Sequence, residues 1–114
     1  MSSHRIQQVN ELIRQELSKL FVKEISFPKD CLVTITKVDT SKDLGQTKVL
    51  VSIMPAGQQE KAVRLLNKQA GHLQFLLGKI IVIRQIPKLL FQLDHTQEKV
   101  ARIDQLIDKI HEGG

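Results

Sequence analysis

Two neighbouring segments of the chain repeat with a period of two residues, and this pattern restricts the fold more than any other feature. Residues 32–38 read Leu-Val-Thr-Ile-Thr-Lys-Val, a run rich in β-branched side chains, and residues 47–53 place Thr, Val, Val and Ile at every second position. The linking segment at 41–45, Ser-Lys-Asp-Leu-Gly, has turn-forming residues. We therefore predict an antiparallel hairpin with a loop longer than two residues. The alternation predicts a sheet with one packed face and one open face.

Outside this hairpin the apolar residues recur every three or four positions, which is the spacing of amphipathic helices. A first helix is expected to end before Pro28, and a second helix is expected over residues 58–69. The segment Gln69-Ala70-Gly71, called the junction below, interrupts the apolar stripe. Because glycine weakens a helix, we predict a kink between two helices at the junction.

The last part of the chain predicts one strand and one helix. The strand is expected over residues 84–93, with Pro87 at its start, at an edge or in a bulge because proline cannot donate a ladder hydrogen bond. The helix is expected to be capped by Asp94 or Thr96 and to extend to residue 110.

The predicted element order is α-β-β-α-kink-α-β-α, which indicates an α+β domain with a three-stranded sheet covered by helices on one face. This order is KH-like, of the second type, with an extra C-terminal helix. We expect a single KH-like domain over residues 1–112. KH domains bind nucleic-acid backbone with a Gly-x-x-Gly loop between their central helices, and this sequence has no such motif.

Cysteine content and hydropathy favour a soluble cytoplasmic protein. The single cysteine, Cys31, excludes an internal disulfide and is interpreted as a small buried residue at the start of a strand. The N-terminus lacks the pattern of a secretory signal, and charges and a proline interrupt the most apolar run, residues 73–91. We expect a monomer that needs no cofactor or metal.

The positive charge of the chain is concentrated in residues 61–93, which contain 6 basic residues and no Asp or Glu. This acid-free span contains the junction. The residues before this span include 8 basic and 7 acidic side chains, and the residues after it include 3 basic and 5 acidic side chains. The span is therefore the source of the net charge of +5. A surface of one sign around a helix junction favours a polyanionic partner, and RNA is the leading candidate.

The candidate RNA-binding residues follow from this distribution of charge. We expect phosphate contacts from the cations near the junction and on the last strand, from the main chain of the junction, and from two lysines of the hairpin. These residues are Arg64, Lys68, Ala70, Gly71, Lys79, Arg84, Lys88, Lys37 and Lys42. Gly71 is expected either to allow helix packing or to allow a phosphate to approach closely.

Three other functions compete with RNA binding. The four histidines are scattered and no metal-ligand spacing occurs, so an enzyme is disfavoured. A protein-interaction module remains open, with Leu50, Leu90 and Ile81 as a candidate apolar contact surface. Membrane attachment by the first helix is disfavoured because its polar face carries charges of both signs.

Several motifs together resemble a known family. They are Arg5 near the first helix start, Pro28, Val-Thr-Ile-Thr-Lys-Val at 33–38, Ser-Lys-Asp-Leu at 41–44, Lys-Val-Leu-Val-Ser at 48–52, Leu-Leu-Gly-Lys at 76–79 and Ile-Pro-Lys-Leu-Leu-Phe-Gln-Leu-Asp at 86–94. In this order they resemble bacterial ribosome-binding factor A, and the resemblance extends from about Arg5 to Ile110.

The resemblance implies a KH-like domain in which an Ala-x-Gly kink replaces Gly-x-x-Gly. It implies a non-enzymatic assembly factor that binds free small (30S) ribosomal subunits and 16S rRNA, assists late maturation and rRNA processing, and contributes to cold adaptation. No small-molecule substrate and no membrane is implied. The sequence departs from the family at Gln69, which stands where the family has the kink alanine, and at Val100, where the family often has glycine. It also lacks the extended, charged C-terminal tail that some members have.

Overall fold

A computed structural model describes residues 2–83 and 85–96. The elements are α1 (Ser2–Glu24), β1 (Leu32–Thr40), β2 (Gln46–Met54), a short 3-10 turn (Ala56–Gln58), α2 (Gln59–Lys68), α3 (Ala70–Ile80) and β3 (Lys88–Leu93). This confirms the predicted order from the first helix to the third strand. The predicted last helix, with Val100, lies beyond Thr96 and outside the described residues.

The sheet has the order β1-β2-β3, with β1 antiparallel to β2 and β2 parallel to β3. Parallel neighbours need a crossover connection, and α2 and α3 supply it. A bulge interrupts the pairing of β1 between Ile35 and Lys37. Because the bulge adds a residue, the inward position after Ile35 is Val38, and the strict alternation of the sequence is broken there.

The core lies between the helices and one face of the sheet. Along β2 the inward side chains of Thr47, Val49, Val51 and Ile53 are at most 1% exposed. The apolar stripe of α1 packs toward this face with Val9, Ile13, Leu17, Leu20 and Phe21. Leu50 and Leu90 lie on the opposite face and are only half-buried. A sheet covered by helices on one face is thus confirmed.

β3 begins later than predicted, at Lys88 instead of residue 84. Pro87 directly precedes it and is buried. Proline has no N–H for the ladder, and the strand starts at the first residue that has one. The N–H of Lys88 donates to the carbonyl of Gly45 at 3.1 Å, which fastens the β1–β2 loop to the start of β3.

The helix interruption lies at one residue, Gln69. α2 ends at Lys68 and α3 begins at Ala70, so the predicted kink is confirmed but the break precedes Ala70-Gly71. The Gln69 N–H donates to the carbonyls of Leu65 and Leu66 at 3.0 and 3.1 Å, which closes α2. Ala70 is half-buried against the core. In the part of the chain that the structure describes, no helix is long and apolar enough to cross a membrane.

Candidate nucleic-acid interface

The proposed cations are distributed over the paired helices and one end of the sheet. Arg64 and Lys68 lie on α2, Lys79 on the last turn of α3, Lys88 at the start of β3, Lys37 on β1 and Lys42 in the β1–β2 loop, and all are exposed. Ala70 and Gly71 form the first turn of α3. Arg84 lies outside the described residues.

Arg64 and Lys68 share one face of α2 because they are four residues apart. The Arg64 guanidinium also pairs with the Glu60 carboxylate at 2.9 Å, and the side chains of Arg64 and Glu60 are 76% and 86% exposed. Glu60 directly precedes the acid-free span in the sequence. The charge count of the span therefore does not include this carboxylate, although it lies beside Arg64 in the structure. An exposed pair of this kind contributes little free energy, and a phosphate can compete with Glu60 for the guanidinium.

Lys79 does not flank the junction, contrary to our expectation. It lies nine residues after Ala70 on α3, which is about 14 Å along the helix axis. A phosphate held at the junction by Lys68 is therefore out of reach of Lys79. The candidate cations therefore lie at separate places along the helices and do not form one cluster.

A second group of cations lies where the β1–β2 loop meets β3. Within the loop the Asp43 carboxylate accepts hydrogen bonds from the Ser41 hydroxyl at 2.7 Å and from the Gly45 N–H at 2.9 Å. These bonds, the Ser41 bond first, hold the pKa of Asp43 below its usual value. Because the same loop accepts the Lys88 N–H, Lys42 and Lys88 are brought to the same end of the sheet.

Lys37 stands apart from these groups on the open face of the sheet. It pairs with Leu50 across the β1–β2 ladder, and the next pair along that face joins Asp39 to Lys48. The open face therefore carries both signs of charge. Lys37 has the weakest structural support among the cations that the structure describes.

The main chain at the junction is open to a ligand. A Cβ placed on Gly71 would meet no atom within 4 Å, and the glycine has no positive φ. Helix packing therefore does not require glycine here, and this part of our expectation is wrong. Gln69 gives α3 no side-chain cap, and first-turn N–H groups lack intrahelical acceptors, so the first turn can donate to a phosphate.

Sequence reasoning missed Phe75. Phe21, Phe27 and Phe91 pack together with ring centroids 5.8 and 5.9 Å apart, whereas Phe75 on α3 is 61% exposed. The Lys79 ammonium lies 4.6 Å from the centroid of the Phe75 ring. The sequence has only four phenylalanines and no tryptophan or tyrosine, which disfavours a base-stacking surface on the strands, but this aromatic residue lies on a helix. The position of Phe75 in the sequence, off the apolar stripe formed by Leu73 and Leu77, indicates that its side chain is exposed.

The pKa values of Asp94 and Cys31 are shifted, and local hydrogen bonds or burial account for both shifts. Asp94 accepts a hydrogen bond from the Thr36 hydroxyl at 2.6 Å and one from the Thr96 N–H at 2.9 Å, which lower the pKa of Asp94 to about 2. The bond from the Thr96 N–H has the i to i+2 geometry of a cap, but the helix that Asp94 was predicted to cap lies outside the described residues. Cys31 is half-buried, and desolvation raises the pKa of its thiol, so the thiol is not activated. Among residues 2–83 and 85–96, no group of side chains is suited to hold a metal.

The sheet order and the kinked helix pair define a KH-like α+β domain whose junction lacks Gly-x-x-Gly. The family model for ribosome-binding factor A matches residues 5–107, and the chain belongs to this family.

Individual relatives agree with this assignment. Ribosome-binding factor A of Opitutus terrae is 39% identical over 109 residues, covering 95% of this chain and 88% of the relative. The crystal structure of ribosome-binding factor A from Thermus thermophilus has 25% identity and a TM-score of 0.61, covering 82% of this chain and 96% of that chain. A homology model of the Thermus thermophilus protein, fitted into a cryo-EM map of a 30S complex, has 24% identity and a TM-score of 0.61, covering 81% and 93%.

Proposed function

We propose that this protein is a non-enzymatic assembly factor that binds the free small ribosomal subunit through 16S rRNA and assists its late maturation. The observation that carries the proposal is the family match over residues 5–107. The Thermus thermophilus relative supports it, because that protein has been fitted into a cryo-EM map of its complex with the 30S subunit. The activity takes place in the cytoplasm, and the roles in rRNA processing and cold adaptation are part of the same proposal.

The geometry indicates how the domain would hold rRNA. Arg64 and Lys68 contact phosphates along the exposed face of α2, and the first-turn N–H groups of α3 donate to a further phosphate beside Gly71. Lys79 makes a separate contact at the far end of α3. These groups read the backbone and not the bases, so affinity depends on the shape of the rRNA and falls steeply with salt.

Two other groups extend this surface. Lys42 and Lys88, held together by the β1–β2 loop, contact the backbone at the end of the sheet. Arg84 belongs to the acid-free span and is proposed as a phosphate contact on its charge alone. Lys37 is a peripheral contact from the open face. The protein acts as a monomer and needs no cofactor.

A protein-interaction module is the second candidate, and the open face of the sheet is the observation that favours it. Leu50 and Leu90 are half-buried there, beside charges of both signs. Ile81 cannot join them, because it is only 4% exposed and belongs to the core. The prediction that Ile81 contributes to such a surface is therefore wrong.

Sedimentation of the protein with ribosomal particles tests the proposal. In low salt the protein should peak with free small subunits in a sucrose gradient, in preference to complete ribosomes, and should leave them in high salt. An apolar interface would not respond to salt in this way. Protein that remains at the top of the gradient in low salt, without RNA, would replace the assembly-factor proposal with the interaction module.

A further inference from the structure

Phe75 lies in an exposed groove on α3. The groove is lined by Gly71, Gln74, Phe75, Gly78, Lys79 and Ile86. The buried side of the same helix carries Leu73 and Leu77, which are fully covered. Phe75 thus presents most of its ring to solvent, whereas Phe21 and Phe91 are buried in the core and Phe27 packs against it. The ring is therefore accessible to a ligand.

The two glycines of the groove leave room beside the ring. Gly71 lies one turn before Phe75 and Gly78 about one turn after it, on the same face of α3. A Cβ would meet nothing within 4 Å at Gly71, and at Gly78 it would make an ordinary contact with Ile86 at 3.5 Å. Alanine would fit at both positions and would favour the helix. Internal packing therefore requires neither glycine, whereas a flat group approaching α3 would benefit from both.

The charge around the ring selects the partner. Lys79 places its ammonium 4.6 Å from the Phe75 ring centroid. Among the residues that the structure describes, no acidic side chain lines the groove, which lies within the acid-free span. The ammonium lies over the ring, and no negative charge lines the same groove. This arrangement is complementary to a nucleotide, whose base stacks on the ring once the ammonium moves from the ring to the phosphate.

We propose that this groove binds an unpaired RNA nucleotide, with its base stacked on Phe75 and its phosphate held by Lys79. The inference rests on the proposed function, because it names a contact within the same RNA surface. Every base offers a π-face, so the site tolerates any base but requires a single strand. A paired base is already stacked within its duplex and cannot reach the ring.

The absence of tryptophan and tyrosine from the sequence makes the site directly observable. Phe75→Trp introduces a single tryptophan reporter and retains an aromatic face. Phe75→Leu keeps an apolar side chain, does not lower helix propensity and removes the π-face. Full-length wild type, these two variants, Phe75→Ala and Lys79→Gln are titrated with a labelled single-stranded oligouridylate and with a paired RNA duplex, and thermal unfolding is measured for each. Binding to purified small subunits is measured in parallel.

Stacking on Phe75 predicts a specific set of results. Phe75→Leu should bind the single strand roughly 5- to 150-fold more weakly, the range expected for one stacked base. Phe75→Trp should bind like wild type, and its fluorescence should be quenched by the single strand but not by the duplex. The slope of log affinity against log salt should stay the same in Phe75→Leu, because no phosphate contact is removed, and should fall by about 0.7 in Lys79→Gln.

Other results would overturn the inference. Single-strand binding by Phe75→Leu equal to that of wild type would exclude stacking, and so would unquenched tryptophan fluorescence of the Phe75→Trp variant at saturation. Loss of small-subunit binding in Phe75→Ala with full binding in Phe75→Leu, and no effect on the oligonucleotide, would assign the groove to a protein partner. Quenching by the single strand without any binding of wild type to small subunits would uphold this site and contradict the proposed function instead.

Discussion

Asn67 on α2 pairs with the main chain of Phe91 on β3 through two hydrogen bonds. Its amide donates to the Phe91 carbonyl at 3.0 Å, and the Phe91 N–H donates to its side-chain oxygen at 3.0 Å. β3 is an edge strand, and in a parallel strand the N–H and C=O of one residue point to the same side. Asn67 thus satisfies the main-chain N–H and C=O of Phe91 on the free edge of the sheet and connects α2 to β3.

Asn67→Ala should therefore destabilise the domain although the residue is partly exposed. We expect a loss of about 2 kcal/mol in the free energy of unfolding, because two main-chain groups lose their partner. Urea denaturation followed by circular dichroism measures it. Lys61→Ala, an exposed change on the same helix, should shift stability by no more than about 0.5 kcal/mol. Equal stability of the two variants would mean that this pairing does not support the sheet edge.

Asp94 should make stability depend on acid pH. Its pKa is about 2 in the folded protein, against 3.8 for a free aspartate, chiefly because the Thr36 hydroxyl donates to its carboxylate. A carboxylate with a depressed folded-state pKa contributes stability that is complete above its unfolded pKa. This contribution should be lost as the pH falls from about 4 toward 2.

Thr36→Val tests this assignment, because it removes the hydroxyl and keeps the shape of the side chain. In carboxyl NMR titrations the pKa of Asp94 should move upward toward 3.8, and the loss of stability below about pH 4 should shrink. Thr34→Val, on the same strand and exposed, is the matched control. If the pKa of Asp94 is the same in Thr36→Val and wild type, another contact depresses it.

Most of the fold could be predicted from the sequence because its elements have clear periods. The hairpin, α1 and the break between α2 and α3 follow from local spacing. The bulge between Ile35 and Lys37 could not be predicted, since it depends on how β1 pairs with β2. The burial of Ile81 and the edge pairing by Asn67 likewise depend on packing between distant segments.

The candidate interface was predicted from the distribution of charge along the sequence, and such a count does not show where the charged side chains lie in the folded domain. It identified the acid-free span but placed Lys79 beside the junction, and it missed the pairing of Arg64 with Glu60. Phe75 was missed because aromatic content was counted over the whole chain. Only the structure separates the three phenylalanines that lie in the core or against it from the exposed one.

Gly71→Val should weaken binding to small subunits without unfolding the protein. A Cβ at this position meets no atom within 4 Å, but the added side chain would lie beside the first-turn N–H groups of α3. Losing one charge-assisted hydrogen bond corresponds to about a tenfold loss of affinity. Gln69→Ala, which introduces the family residue at the break, should bind like wild type. Equal binding by Gly71→Val and wild type would make the junction a simple connector.

The salt dependence of binding to purified small subunits tests the central claim most directly. Replacing Arg64, Lys68 and Lys79 together by Gln should reduce the slope of log affinity against log salt by roughly 2 to 3 units. A control with Lys19, Lys23 and Lys29 replaced by Gln has the same net charge and should lower the slope by less than about one unit. Both variants should remain folded, because all six side chains are exposed. A wild-type slope in the first variant, or an equal fall in both, would contradict an RNA-binding surface along α2 and α3.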